Sequence, residues 1–253
     1  MRVGPGHGQG KPSVTGSTRA DRVWGVVSAH AEGLGVAVSV QSLCQAAAGW
    51  LPVTGVAVSI RGGRAGSEVL AASGPRSREW EHLQLTTGEG PSLEVLAGGA
   101  SVLVGDLDSP GWTTRWPVFA SRALQAGTRA VFALQLDIGR LRVGVFVLYR
   151  DHPGALGVEN LAEAYAFAEI ALRLVLDEQA NTDSPDGYPA LDWLNYRPEI
   201  PRATGMIAVQ LGITIGQAWI RLRARAFAQN RPLSELAADV VAHRLRFDPE
   251  ETA

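Results

Sequence analysis

The stretch Arg197–Phe247 reads RPEIPRATGMIAVQLGITIGQAWIRLRARAFAQNRPLSELAADVVAHRLRF. Three short apolar periodicities follow one another in it with almost no spacer. Ile200, Ala203, Ile207 and Leu211 recur at three- and four-residue steps, the pattern of one buried helical stripe. Gly212 stops that helix. Thr214 caps a second, striped by Ala218, Leu222 and Ala226 with Trp219 beside them. Asn230 ends it, and Pro232 opens a third in which Leu233, Leu236, Ala237, Val240 and Val241 face inward. Three helices of about three turns each share one small core only as a compact bundle.

The outside of that bundle is strongly basic. Eight Arg and no Lys stand against Glu199, Glu235 and Asp239, in a chain whose formal net charge is −2. Arg presents a planar fork that meets phosphates and base edges bidentately and stacks on exposed bases. Arg221 and Arg225 lie one helical turn apart and point the same way. A single Arg is as readily a solvated surface residue, but the asymmetry of the whole module favours a polyanionic partner, nucleic acid foremost.

The run resembles an ANTAR domain, the RNA-binding antiterminator module of bacterial regulators. That family has A-x-G in its first helix, A-x-x-x-L-R in its second and l-x-x-x-A-x-x-V in its third. This chain supplies Ala203 and Gly205, then Ala218, Leu222 and Arg223, then Leu233, Ala237 and Val240. It departs at Thr204, where many members carry Lys, and at Ile215, Gly216 and Gln217, where many are acidic. The resemblance implies a structured-RNA partner with paired hairpins. RNA loops expose unpaired bases on which Arg and Asn can stack and hydrogen-bond. The candidate RNA-binding residues are Arg197, Arg202, Arg221, Arg223, Arg225, Asn230 and Arg231.

Upstream the chain alternates helix and strand signals. Residues 1–19 are polar and rich in Gly, Ser and Thr, without the apolar middle of a signal peptide, and read as a disordered tail. Residues 20–50 give two helical stripes, Val23, Val26, Val27 and His30, then Val40, Leu43, Ala47 and Ala48, separated at Gly33 and Gly35. A hairpin follows, Gly55–Ile60 returning through Glu68–Ser73. Pro75–Leu85 is an amphipathic segment with Trp80, Leu83 and Leu85. A tight turn at Gly88-Glu89-Gly90-Pro91 precedes a short helix, Ser92–Ala97. Ser101–Val104 is a third strand, and Trp112, Trp116 and Phe119 sit in a loop that runs into a helix. Arg129–Leu136 and Leu141–Tyr149 form a second hairpin. A long helix then covers about 158–179, striped by Leu161, Ala164, Ala168, Leu172, Val175 and Leu176.

This order predicts an α+β sandwich, an antiparallel sheet of five or six strands flanked by helices. It also resembles a GAF domain, the small-molecule sensor fold. The telling pieces are GEGPSLEVLAGGASVLVGDL, from Gly88, and RWPVFASRALQAGTRAVFALQL, from Arg115. Many related sensors have Cys where this chain has Ser92. The expected organisation is a tail at 1–19, a GAF-like sensor at 20–180, a linker at 181–196 and an ANTAR-like three-helix domain at 197–247. The resemblance places a possible ligand pocket near Trp80, Trp112, Trp116 and Phe119, whose rings either close over a ligand or fill the core. Leu191, Trp193, Leu194 and Tyr196 in the linker are apolar enough to pack on the bundle.

No catalytic constellation stands out, and the reading is of a non-enzyme. The five His are scattered, and none stands at metal-ligand spacing from a Cys or a second His. Gly88-Glu89-Gly90 is followed by no Lys-Ser/Thr, so it reads as a turn and not a phosphate loop. No cofactor or metal is expected. The single Cys44 excludes an intramolecular disulfide and fits a reducing cytoplasm. No apolar run is long enough for a membrane span. The long helix either pairs with its twin in a homodimer, as two adjacent hairpins would want, or simply covers its own sheet. The functional expectation is a signal-responsive antiterminator. The alternative is a dimerisation scaffold whose basic bundle takes an acidic protein, or DNA through a helix-turn-helix.

Overall fold

The computed structural model describes residues 18–62, 66–180, 199–229 and 231–248. The first helix, α1 (Arg19–Leu34), begins where Thr18 and Asp21 form a reciprocal capping box, so Thr18 and Arg19 of the segment read as tail belong to the helix start. Gly35, at φ 67°, ends it, while Gly33 lies within the helix and does not break it. A second capping box, Ser39 with Ser42, opens α2 (Val40–Trp50).

Two strands, β1 (Gly55–Gly62) and β2 (Gly66–Ala72), make the first hairpin. Helices α3 (Pro75–Thr87) and α4 (Pro91–Leu96) follow, each with Pro in its first turn. After β3 (Val102–Val104) the chain forms α5 (Pro110–Arg115) and α6 (Pro117–Gln125). The segment read as a loop holding Trp112 and Trp116 is therefore helical. Pro110 and Pro117 each supply the fixed φ that suits a first helical turn, and the break falls at Trp116. The second hairpin is β4 (Ala130–Ile138) with β5 (Leu141–Arg150), and Gly139 takes the left-handed φ of 59° that the tight turn requires.

The five strands form one antiparallel sheet in the order β2-β1-β5-β4-β3. Alternate side chains leave opposite faces. Phe132, Leu134, Phe146 and Leu148 pack beneath α1, α2 and α7 (Val158–Ala180). Val131, Ala133, Val145, Val147 and Tyr149 pack beneath α3, α4 and α6. Both faces are covered, which is why β4 and β5 read as nearly continuous apolar runs. The buried face of α7 is wider than its expected stripe, for Phe167, Ile170, Ala171 and Leu174 join Ala164, Ala168 and Val175. The helix meets α1, α2 and two strands at once, and a narrow stripe cannot cover them.

The C-terminal bundle consists of α8 (Glu199–Leu211), α9 (Ile215–Ala228) and α10 (Leu233–Val241). Gly212 has φ 64°, Thr214 and Gln217 form a capping box, and Pro232 is the N-cap of α10. Ala203, Ile207, Ala218, Leu222, Ala226, Leu233, Leu236, Ala237 and Val240 form its core. That core also takes in Val69, Leu85 and Leu93, because α3 packs directly on α9 and α10. The linker and its four apolar residues, and the tail up to residue 17, lie outside the described residues.

Candidate functional site

The bundle's motif residues divide into two kinds. Ala203, Ala218, Leu222, Ala237 and Val240 are fully buried, so their small or branched shapes serve helix packing. Gly205 is different, since a β-carbon built on it would meet nothing within 4 Å. Packing does not require glycine there, although glycine costs a helix interior about 0.5–1 kcal/mol relative to Ala. Arg202, Gly205 and Val209 fall on one stripe of α8 at helical spacing. Arg202 is exposed and Val209 is 85% exposed. The stripe thus offers a cation, bare backbone and an apolar side chain to solvent. Thr204 points the other way, buried, its hydroxyl donating to the Ile200 carbonyl at 2.7 Å.

The α9 cations are more engaged. Arg221 and Arg225 are half-buried, with the exposed Ile220 beside Arg221. The Arg225 guanidinium lies 4.9 Å from the Phe247 ring centre and donates to the Arg246 carbonyl at 3.3 Å, tying α9 to the segment after α10. Arg231 pairs with Asp239 at 2.7 Å, and Arg244 reaches the same carboxylate at 2.8 Å. Hydrogen bonds from Arg231 and Arg244 hold the Asp239 carboxyl below its usual range. Arg223 packs against Gly88 on the α+β half. Arg197 and Asn230 lie outside the described residues.

Gly88-Glu89-Gly90-Pro91 is a junction as well as a turn. Gly88 ends α3 at φ 75°. The Glu89 carboxylate accepts the amides of Val118 and Phe119, at 2.6 and 2.7 Å, and so caps α6. Gly90, at φ 133°, passes so close to α3 that a β-carbon would stand 2.4 Å from the Gln84 side-chain oxygen. Helices α3, α4, α6 and α9 therefore meet at four residues.

The aromatic residues of the expected pocket are largely core. Trp80, Trp116 and Phe119 are buried and Trp112 partly so. Trp112 stacks on Trp116 at 5.1 Å between ring centres, and Phe119 meets Trp116 edge-on at 6.4 Å. Trp80 instead packs on Tyr149 at 4.8 Å, so the four rings form one cluster only through the surrounding aliphatic residues.

Beside them lies a buried polar network that the sequence reading passed over. Glu81 of α3 is 2% exposed. It shares hydrogen bonds with Ser59 of β1 at 2.5 Å, Ser92 of α4 at 2.8 Å and Gln84 at 2.9 Å, and also with the Tyr149 hydroxyl of β5. Burial pushes the Glu81 carboxyl above its ordinary range, against the lowering effect of these hydrogen bonds. Burial, with Glu81 beside it, also pushes the Tyr149 phenol well up. The signal was present, for Ser77, Glu81 and Gln84 share the helix face of Trp80 at three- and four-residue steps. The leucines of WEHLQL drew the stripe elsewhere.

A both-faces-covered antiparallel sheet in the order 2-1-5-4-3, followed by a three-helix bundle, defines a GAF-like fold with a small helical domain after it. The family model of the ANTAR domain matches residues 192–241, a span that takes in this bundle. Among solved structures, the chain is similar to the GAF domain of a phosphoenolpyruvate-protein phosphotransferase from Coxiella burnetii, at 14% identity and TM-score 0.47, over 65% of this chain and 98% of that one. The Acinetobacter counterpart gives 13% and 0.46, over 63% and 96%. The type II free methionine-R-sulfoxide reductase of Thermoplasma acidophilum gives 17% and 0.39, over 60% and 96%. Comparison with curated proteins finds no match. Among the described residues, no single helix is long and apolar enough to cross a membrane.

Proposed function

We propose that this chain is a signal-responsive, RNA-binding regulator that acts by transcription antitermination on leader RNA bearing paired hairpins. The observation that carries the reading is the direct seat of α9 on the sensor. Val69, Leu85 and Leu93 enter the bundle's own core, and Arg223 lies on Gly88. An input that disturbs α3 or the Gly88–Pro91 turn is thereby coupled to the helix richest in Arg. A small molecule bound by the sensor shifts the balance between seated and released bundles only by its differential affinity for the two.

In the seated state Arg202 and Val209 of α8 remain exposed, whereas Arg223, partly buried, is held against Gly88. Release adds Arg223 to Arg221 and Arg225 as an RNA surface. Two hairpins call for two modules, and the outer faces of α1 and α7, with exposed Trp24 and Tyr165, are where two copies pair. The cytoplasm is the compartment in which such a regulator meets nascent transcripts.

The test is binding of a paired-hairpin RNA by the intact chain and by Arg221→Ala/Arg225→Ala. Weaker binding with a shallower salt dependence is expected. Equal binding would remove the contact assignment, and capture of acidic proteins but no RNA would favour the scaffold reading. One observation favours duplex DNA as a second reading: α8 and α9 meet at 106° across a short turn, within the helix-turn-helix range. Competition by duplex DNA as strong as by hairpin RNA would select it.

A further inference from the structure

A cleft of about 170 Å³ lies between α3, α6 and the corner joining α9 to α10. Its walls are Leu83, Thr86 and His82 of α3, Arg122 of α6, Ala226 and Phe227 of α9, and Arg231 and Pro232 beyond, with Glu79 at the exposed edge. We propose that this cleft binds a small aromatic carboxylate and that the occupant fastens the bundle to the sensor. The expected pocket around Trp116 and Phe119 is packed with its own rings, while this space lies outside that core.

Size limits the occupant first. An engineered apolar cavity of about 150 Å³ accommodates benzene, so the space takes a single ring. Shape and chemistry limit it next. Leu83, Ala226 and Pro232 give apolar walls, and Phe227, 41% exposed, offers a ring face or edge for stacking. The Arg122 guanidinium stands 5.1 Å from the centre of that ring, so a cation sits beside the aromatic surface. Arg231 faces the same space. Its bonds to Asp239 use only part of a five-donor fork. Arg122 and Arg231 both border the space, Arg231 sharing Asp239 with Arg244, and a planar carboxylate matches the bidentate geometry of Arg. The walls come from both halves of the chain, so an occupant touches both and is lost when they part. Linkage then makes it stabilise the seated state.

The inference uses the seated arrangement described above and does not depend on RNA. Benzoate is the probe, titrated into the intact chain by calorimetry and by amide chemical shifts. Benzamide, which lacks the charge, and inorganic phosphate, which lacks the ring, are the controls. Saturable benzoate binding is expected, with shifts at Thr86 and Phe227 and at least about tenfold preference over either control. Arg122→Gln weakens it about tenfold, and Thr86→Trp, which fills the space from α3, abolishes it. Benzoate also slows amide exchange in α9. No saturable binding, or binding unchanged in both variants, overturns the site. Phosphate or benzamide binding as well as benzoate overturns the ligand class, and binding with unchanged α9 exchange overturns the fastening. None of these outcomes bears on hairpin RNA binding, which is measured separately and without benzoate.

Discussion

Arg223 and Gly88 lie in direct contact, and a β-carbon on Gly88 would stand 2.6 Å from Arg223 Nη1 and 2.8 Å from its Cζ. The residue that completes the ANTAR-like L-R pair is therefore seated on the Gly88–Pro91 turn of the α+β half. A side chain at Gly88 both displaces Arg223 and strains a backbone at φ 75°. Gly88→Ala is expected to lower stability by about 1 kcal/mol through the left-handed backbone. It is also expected to tighten binding of a paired-hairpin RNA by freeing α9. Urea unfolding and fluorescence anisotropy separate the two effects. Reduced stability with unchanged RNA affinity would mean that the seat is not a lock.

Glu81 makes stability depend on pH with a definite sign. Its folded pKa is raised by burial, so its contribution is fully present below the unfolded value of about 4.3 and is lost as pH rises through the folded pKa. Glu81→Gln keeps the shape and most hydrogen-bonding capacity but cannot ionise. Relative to wild type, the variant should therefore gain stability between pH 5 and pH 8. Each unit of upward shift corresponds to about 1.4 kcal/mol. Urea midpoints that move in parallel across that range would show that Glu81 does not titrate in the folded chain.

Glu89 carries a plainer prediction. Its carboxylate accepts two amides at the start of α6, a helix whose N-cap position is occupied by Trp116, which provides no side-chain cap. Glu89→Ala should cost about 0.5–2 kcal/mol, the usual range for a lost cap, and should raise amide exchange at Val118 and Phe119 first. Exchange raised evenly over the whole sheet would point instead to general loosening.

The architecture was legible because its signals are local. Gly212, Thr214 and Pro232 mark ends that the structure keeps, and Ala218, Leu222 and Ala226 fall on the buried stripe their spacing predicts. Helix α5, and the short break between it and the expected helix after it, were missed because two prolines and an aromatic cluster look like a loop until each proline is placed at a helix start. The Glu81 network was missed because a charged residue in a helix is first assigned to solvent. Its partners Ser59 and Tyr149 come from strands far away in sequence. The seat of α9 on α3 leaves no sequence trace at all. Leu85 and Phe227 look like ordinary apolar residues of separate elements until the tertiary fold brings those elements together.

Gly205 offers the sharpest separation of folding from binding. It stands in the interior of α8, with open space where a side chain would go. On intrinsic propensity alone, Gly205→Ala should stabilise the bundle by about 0.5–1 kcal/mol. Glycine persists there for a reason outside the folded chain if a ligand backbone approaches α8 closely between Arg202 and Val209. The expected result is thus a chain that resists urea better yet binds paired-hairpin RNA several-fold more weakly, with Arg202→Ala weakening it as well and lowering the salt slope by about one. Gains in both stability and affinity would place the RNA surface elsewhere, on α9 alone. The bare stripe of α8 would then be an unoptimised surface, where a glycine costs little and nothing depends on it.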